Sequence, residues 1–144
     1  MEKQESEVAA ILARHHGREG ALLPVLHEIQ AAFGHIDDTA KRQVAHALNL
    51  SRAEVHGVAS FYHDFRDAPA SKPVLRLCRA EACQSRGSEK LAAEAEGMAG
   101  DKVTIEPVYC LGLCTVGPNA MIGDEVHARL DAERVSELIA GMAA

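Results

Sequence analysis

Over the first half of the chain, apolar residues recur at three- and four-residue intervals. Val8, Ile11 and Leu12 mark a helix from Glu5 to about His16, punctuated at its end by Gly17 and Gly20. Leu22, Leu26, Ile29 and Phe33 stripe a second helix from Leu22 to Phe33, with Pro24 near its first turn and Gly34 just past its end. Asp37, Asp38 and Thr39 offer N-cap oxygens to a third helix, which runs to about Leu48 with Val44, Ala47 and Leu48 on one side. Ser51 followed by Glu54 is a capping-box pattern that starts a fourth, through roughly Ala59. Each is too short to be stable alone, so the pattern predicts a bundle held by packing.

The period then changes. FYHDFR, residues 61–66, holds three of the chain's five aromatic residues and is expected to anchor the helical part to the second half of the chain. DAPASKP, with Pro69 and Pro73, cannot continue a helix and reads as a linker. Beyond it, Val74 to Cys78 is a short strand, Ser85 to about Ala99 a helix, and Lys102 to Tyr109 a second strand. Ala120 to Ile122 and Glu125 to Ala128 flank Gly123-Asp124, a hairpin signal, and Asp131 caps a last helix carrying Val135, Leu138 and Ile139. The pattern therefore predicts an α+β chain in two parts. Residues 1–68 form a helical bundle, and residues 69–144 form a β-α-β-β-β-α module of thioredoxin-like, α/β type.

Composition narrows the function classes. The 144 residues are 47% hydrophobic with no Trp, so Ala, Leu and Val must fill the core. Fifteen Lys and Arg against 21 Asp and Glu give a formal net charge of −6, which argues against nucleic acid as a partner. MEKQESEVAA lacks the basic and apolar regions of a secretory signal, and no apolar run approaches a membrane span, so a cytoplasmic protein without direct membrane insertion is expected.

The candidate chemistry lies in four cysteines. Cys78 and Cys83 form one C-x4-C pair and Cys110 and Cys114 one C-x3-C pair, 26 residues apart, each beginning where a predicted strand ends. In a reducing compartment two tight pairs point to metal ligation or redox thiols before disulfides. A [2Fe-2S] cluster takes four soft monodentate ligands, two per iron, which two strand-end loops can supply. Structural zinc stays open, although the usual gap of two is absent, and thiol redox chemistry would want a C-x-x-C that neither pair has. Arg76, Arg79 and Arg86 surround the first pair, either offsetting the negative charge of a cluster or as solvated surface charges. Gly112 helps the second loop turn, and Gly117-Pro118 ends it. The eight histidines form no metal-binding pattern. No phosphate-binding glycine motif or nucleophile pattern appears, so the chain shows no active site of its own.

The ordered set of C-x4-C and C-L-G-x-C on this module, preceded by the L-x-E-I-Q of Leu26–Gln30 and by HGVASFYHDFR, resembles the thioredoxin-like [2Fe-2S] subunit of NADH dehydrogenases and its relatives in NAD-reducing hydrogenases and formate dehydrogenases. The resemblance implies that Cys78, Cys83, Cys110 and Cys114 ligate a [2Fe-2S] cluster. It also implies that the helical part, including His56 to Phe65, docks a diaphorase subunit holding FMN and the NAD site, beside a larger catalytic subunit. Arg79 and Glu81 in CRAEAC and the short gap between the pairs depart from the respiratory subunit, and HGVASFYHDFR together with LCRAEACQS looks closest to the gamma subunit of soluble NAD-dependent formate dehydrogenase.

Overall fold

A computed structural model describes residues 2–144, which fall into two compact units, residues 2–69 and 70–144. The first holds four helices: α1 (Glu2–Arg14), α2 (Leu22–Phe33), α3 (Asp38–Ala47) and α4 (Arg52–Phe61). Their ends follow local chemistry. Gly34 takes the left-handed conformation (φ 74°) that closes α2, Asp37 accepts from the Ala40 N–H to start α3, and Ser51 and Glu54 form a reciprocal capping box on α4. Val8, Ile11, Val25, Leu26, Ile29, Ile36, Val44 and Val55 make the core of this unit.

The stripe expected on α3 is rotated. Ala40, Lys41, Val44 and Ala45 turn inward, while Ala47 is exposed. Lys41 explains the difference, because its ammonium is buried against the Asp67 carboxylate and an aliphatic stem can line a core that its charge alone would exclude.

The L-x-E-I-Q motif also resolves into contacts. Leu26 and Ile29 are core residues, and Glu28 binds Arg14 and the buried His15, each at 2.7 Å. Gln30 accepts from the Arg66 N–H (2.7 Å) and donates to the Asp64 carbonyl, while the Ile36 N–H donates to the Arg66 carbonyl (2.7 Å). The aromatic segment is thereby divided. Phe65 packs in this unit, its ring centroid 4.9 Å from that of His27, whereas Phe61 (73% exposed) and Tyr62 (43%) face solvent. Replacing Gln30 by Ala removes two hydrogen bonds and is expected to cost about 1–2 kcal/mol. Faster amide exchange at Arg66 together with a lower denaturation midpoint would register it.

The second unit is built on a four-stranded sheet in the order β2-β1-β3-β4: β1 (Val74–Cys78), β2 (Thr104–Val108), β3 (Ala120–Ile122) and β4 (Glu125–His127). β1 and β2 are parallel, with Val74 opposite Thr104 and Cys78 opposite Val108, and the other neighbours are antiparallel. Pro107 is tolerated because β2 lies at the sheet edge. The helix expected over residues 85–99 begins three residues later, as α6 (Ser88–Ala99), because Gly87 at φ 89° cannot be part of it, and a short helix not foreseen in the sequence, α5 (Glu81–Gln84), precedes it. α6 packs on β1 and β2 and against α7 (Ala132–Met142), which Asp131 caps. Leu75, Leu77, Leu91, Ala95, Val103, Ala120, Val135 and Ile139 form the core. Among the described residues, no helix is long and apolar enough to cross a membrane.

Candidate metal centre

Parallel strands end at the same edge of a sheet, and that is what brings the cysteines together. Cys78 is the last residue of β1; Cys110 follows two residues after the end of β2, its register partner. The Arg79 N–H donates to the Val108 carbonyl (2.9 Å), which carries the pairing one step beyond β1 and aligns the two departing loops. The Cys110 N–H then reaches the Cys78 Sγ at 3.4 Å. Cys83 lies on α5 and interacts with the Cys78 thiol, and Cys114 starts a 3-10 turn, Cys114–Val116, with its Sγ 3.7 Å from the Cys110 Sγ. Cys110 adopts φ 75°, a left-handed conformation that costs a non-glycine residue about 1–3 kcal/mol. Gly112, at φ 78°, makes the next turn without that cost.

The two pairs differ in environment. Cys78 and Cys83 are buried, while Cys110 and Cys114 are exposed. Burial works against ionisation of Cys78, yet the N–H groups of Ala80, Cys110 and Leu111 and the Cys83 thiol donate to its sulfur and hold its pKa below the usual thiol value. Burial, with the Cys78 thiol beside it, pushes Cys83 up, and the Cys110 thiol pushes Cys114 up. Among the described residues, no three His, Cys, Asp or Glu side chains are arranged around a single ion. The thiols stand as two neighbouring pairs, an arrangement that suits a two-metal unit with one pair for each metal better than a single tetrahedral ion.

Space and donors fit such a unit. Gly117 sits where a Cβ would come within 3.1 Å of the Cys83 Sγ, so glycine leaves room for that sulfur. Its φ of −68° is open to any residue, which makes Gly117→Ala a steric test alone. Lower iron retention per chain after anaerobic reconstitution, with little change in the melting of the metal-free chain, is the expected result. Asn119, 1% exposed, follows Pro118. Its carbonyl accepts from the Cys78 N–H (2.9 Å), and its side-chain Nδ2 donates to the Leu113 carbonyl (2.8 Å) and lies 3.7 Å from the Cys83 Sγ.

The three arginines of the first loop do not act together. Arg79 pairs bidentately with Glu89, which raises its pKa further, and Arg76 pairs with Glu106, opposite it on β2, at 3.7 Å. Arg86 is exposed, with its Cδ beside Gly117. Sequence reasoning gave Gly117 only a turn-ending part and missed Asn119. A polar residue directly after Gly-Pro and before a strand was the one available signal for Asn119.

Residues 8–143 match the model of the family described as thioredoxin-like [2Fe-2S] ferredoxin. The chain is 32% identical over 142 residues to a subunit of the NADH-quinone oxidoreductase of Rhizobium meliloti, covering 92% of this chain and 84% of that protein. It is 30% identical over 132 residues to a subunit of the NADP-reducing hydrogenase of Solidesulfovibrio fructosivorans, covering 85% and 77%. A chain of the NAD+-reducing [NiFe]-hydrogenase in its H2-reduced state superposes on 85% of this one, with a TM-score of 0.71 and 25% identity; this chain spans 22% of that one. With its sheet, its two strand-end cysteine loops and a match over nearly its full length, the chain belongs to the thioredoxin-like [2Fe-2S] ferredoxin family.

Proposed function

We propose that Cys78, Cys83, Cys110 and Cys114 ligate one [2Fe-2S] cluster and that the chain is a one-electron carrier serving a partner subunit that holds FMN and the NAD site. The observation that carries this reading is the meeting of both cysteine pairs at one edge of the sheet, in a member of a [2Fe-2S] ferredoxin family. When bound, the cluster supplies single-electron transfer, whereas hydride chemistry belongs to the flavin of the partner. The chain's own residues do the rest. Buried Cys78 and Cys83 anchor the inner side, N–H groups directed at the Cys78 sulfur offset negative charge there, and exposed Cys110 and Cys114 present the outer side to the partner. Tyr109, 70% exposed beside Cys110, borders that outer side, and Phe61 and Tyr62 give the helical unit an exposed aromatic surface for the same complex.

The parent complex in this reading is a soluble cytoplasmic NAD-dependent formate dehydrogenase with a larger catalytic subunit. The CRAEAC loop and the 26-residue spacing between the pairs support it, while the relatives named above serve quinone-linked and hydrogen-linked enzymes. Anaerobic reconstitution should give the absorption of an oxidised [2Fe-2S] centre and a rhombic EPR signal on reduction. Stoichiometric zinc with neither signal would overturn the cluster. Purification of the native complex, with metal analysis and substrate assays, tests the finer reading: molybdenum with formate-dependent NAD reduction supports it, and nickel with hydrogen-dependent reduction replaces it.

A further inference from the structure

The strongest unabsorbed feature is Asn119, which touches both cysteine loops at once. Its main-chain carbonyl takes the Cys78 N–H, and its side-chain amide takes the Leu113 carbonyl, one residue before Cys114. The amide orientation is fixed by chemistry, since a carbonyl can only accept and the nitrogen must therefore face Leu113. That nitrogen carries two hydrogens. One serves Leu113 at 2.8 Å, and the other has the Cys83 Sγ at 3.7 Å as its neighbour.

Stability of the fold does not account for this residue. Asn119 Oδ1 is buried with no hydrogen-bond partner, an arrangement that costs free energy rather than supplying it. A leucine of the same branched shape would leave no orphaned acceptor. Leu113 is half-buried, so its carbonyl could turn to water.

We propose that Asn119 is a positioning and tuning residue for the metal centre: its amide braces the second cysteine loop and donates to the Cys83 sulfur, raising the reduction potential of the cluster. The inference rests on the four-cysteine ligation proposed above. An N–H directed at a cysteinate sulfur draws electron density from it and favours the more negative, reduced state. In a site whose outer side is exposed and whose inner side is dry, a donor on the inner side acts where the dielectric is low.

The chain contains two asparagines, Asn49 and Asn119, which permits a direct test. Asn49 has φ 53°, so Asn49→Gly suits the backbone there and leaves Asn119 as the only asparagine, which supplied asparagine labelled with 15N at its side-chain amide then marks alone. Pulsed EPR of this labelled protein, reconstituted and reduced, should show a 15N coupling to the cluster. Asn119→Leu should remove the coupling and lower the potential, with up to roughly tenfold less reduced cluster at a fixed potential, equivalent to about 59 mV for one electron. A reconstituted parent without a [2Fe-2S] signal sinks the ligation. A normal cluster signal with no 15N coupling in the labelled protein sinks the role of Asn119 alone, as does an unchanged potential in a loaded Asn119→Leu. Should that variant fail to load, the coupling measured on the labelled parent still decides.

Discussion

Under the proposed ligation, Cys78→Ala and Cys114→Ala should each abolish the [2Fe-2S] absorption on reconstitution, while the two variants differ in the stability of the metal-free chain. Loss of either thiolate would leave an iron one ligand short. The Cys78 sulfur also accepts from the N–H groups of Ala80, Cys110 and Leu111. Alanine there removes the buried acceptor of these hydrogen bonds, at a cost of about 1–3 kcal/mol. Cys114 is exposed and contributes nothing to the core, so its replacement should stay within about 0.5 kcal/mol of the parent. Denaturant titrations of the two metal-free variants, beside their absorption after reconstitution, check both halves. Equal destabilisation would show that the inner hydrogen bonds do not hold the loop.

Leu77→Ala should have the largest effect on the second unit. Leu77 is fully buried on β1, the strand flanked by β2 and β3, and it precedes Cys78 directly. A buried Leu→Ala change costs about 2–5 kcal/mol, the range reflecting how far the site relaxes. Here relaxation is limited, because Leu77 is held in register with Pro107 on one side and Ala120 on the other. The shift in β1 should also lower iron retention, since the alignment of both loops starts from its last residue. Val126→Ala, on the half-exposed outer strand, serves as the comparison and should stay within about 0.5 kcal/mol. A Leu77→Ala chain that unfolds at the parent's midpoint would refute the role given to β1.

The elements most legible in the sequence were those with strong local signals. α2 and β1 have the bounds that their apolar runs and flanking glycine or proline predicted, and the Ser51–Glu54 box opens α4. Local chemistry failed where tertiary contacts decide. A buried Lys41 with Asp67 rotates α3, and a left-handed Gly87 delays the start of α6 to Ser88. For the candidate centre, spacing supplied four cysteines and left the metal open. What it could not supply was their unequal burial, set by which loop folds over which, or the amide of Asn119, whose role depends on a partner 36 residues away.

The unequal burial of the thiols has a consequence for the chain before it receives its cofactor. Cysteines are alkylated, or oxidised toward sulfenic acid, when they are both accessible and ionised. Here those properties are kept apart: the pKa of Cys78 is lowered by its hydrogen bonds but its sulfur is sealed from solvent, and Cys114 is open to solvent with its pKa raised by the Cys110 thiol. Neither of these two thiols therefore combines solvent access with a lowered pKa in the chain without its metal.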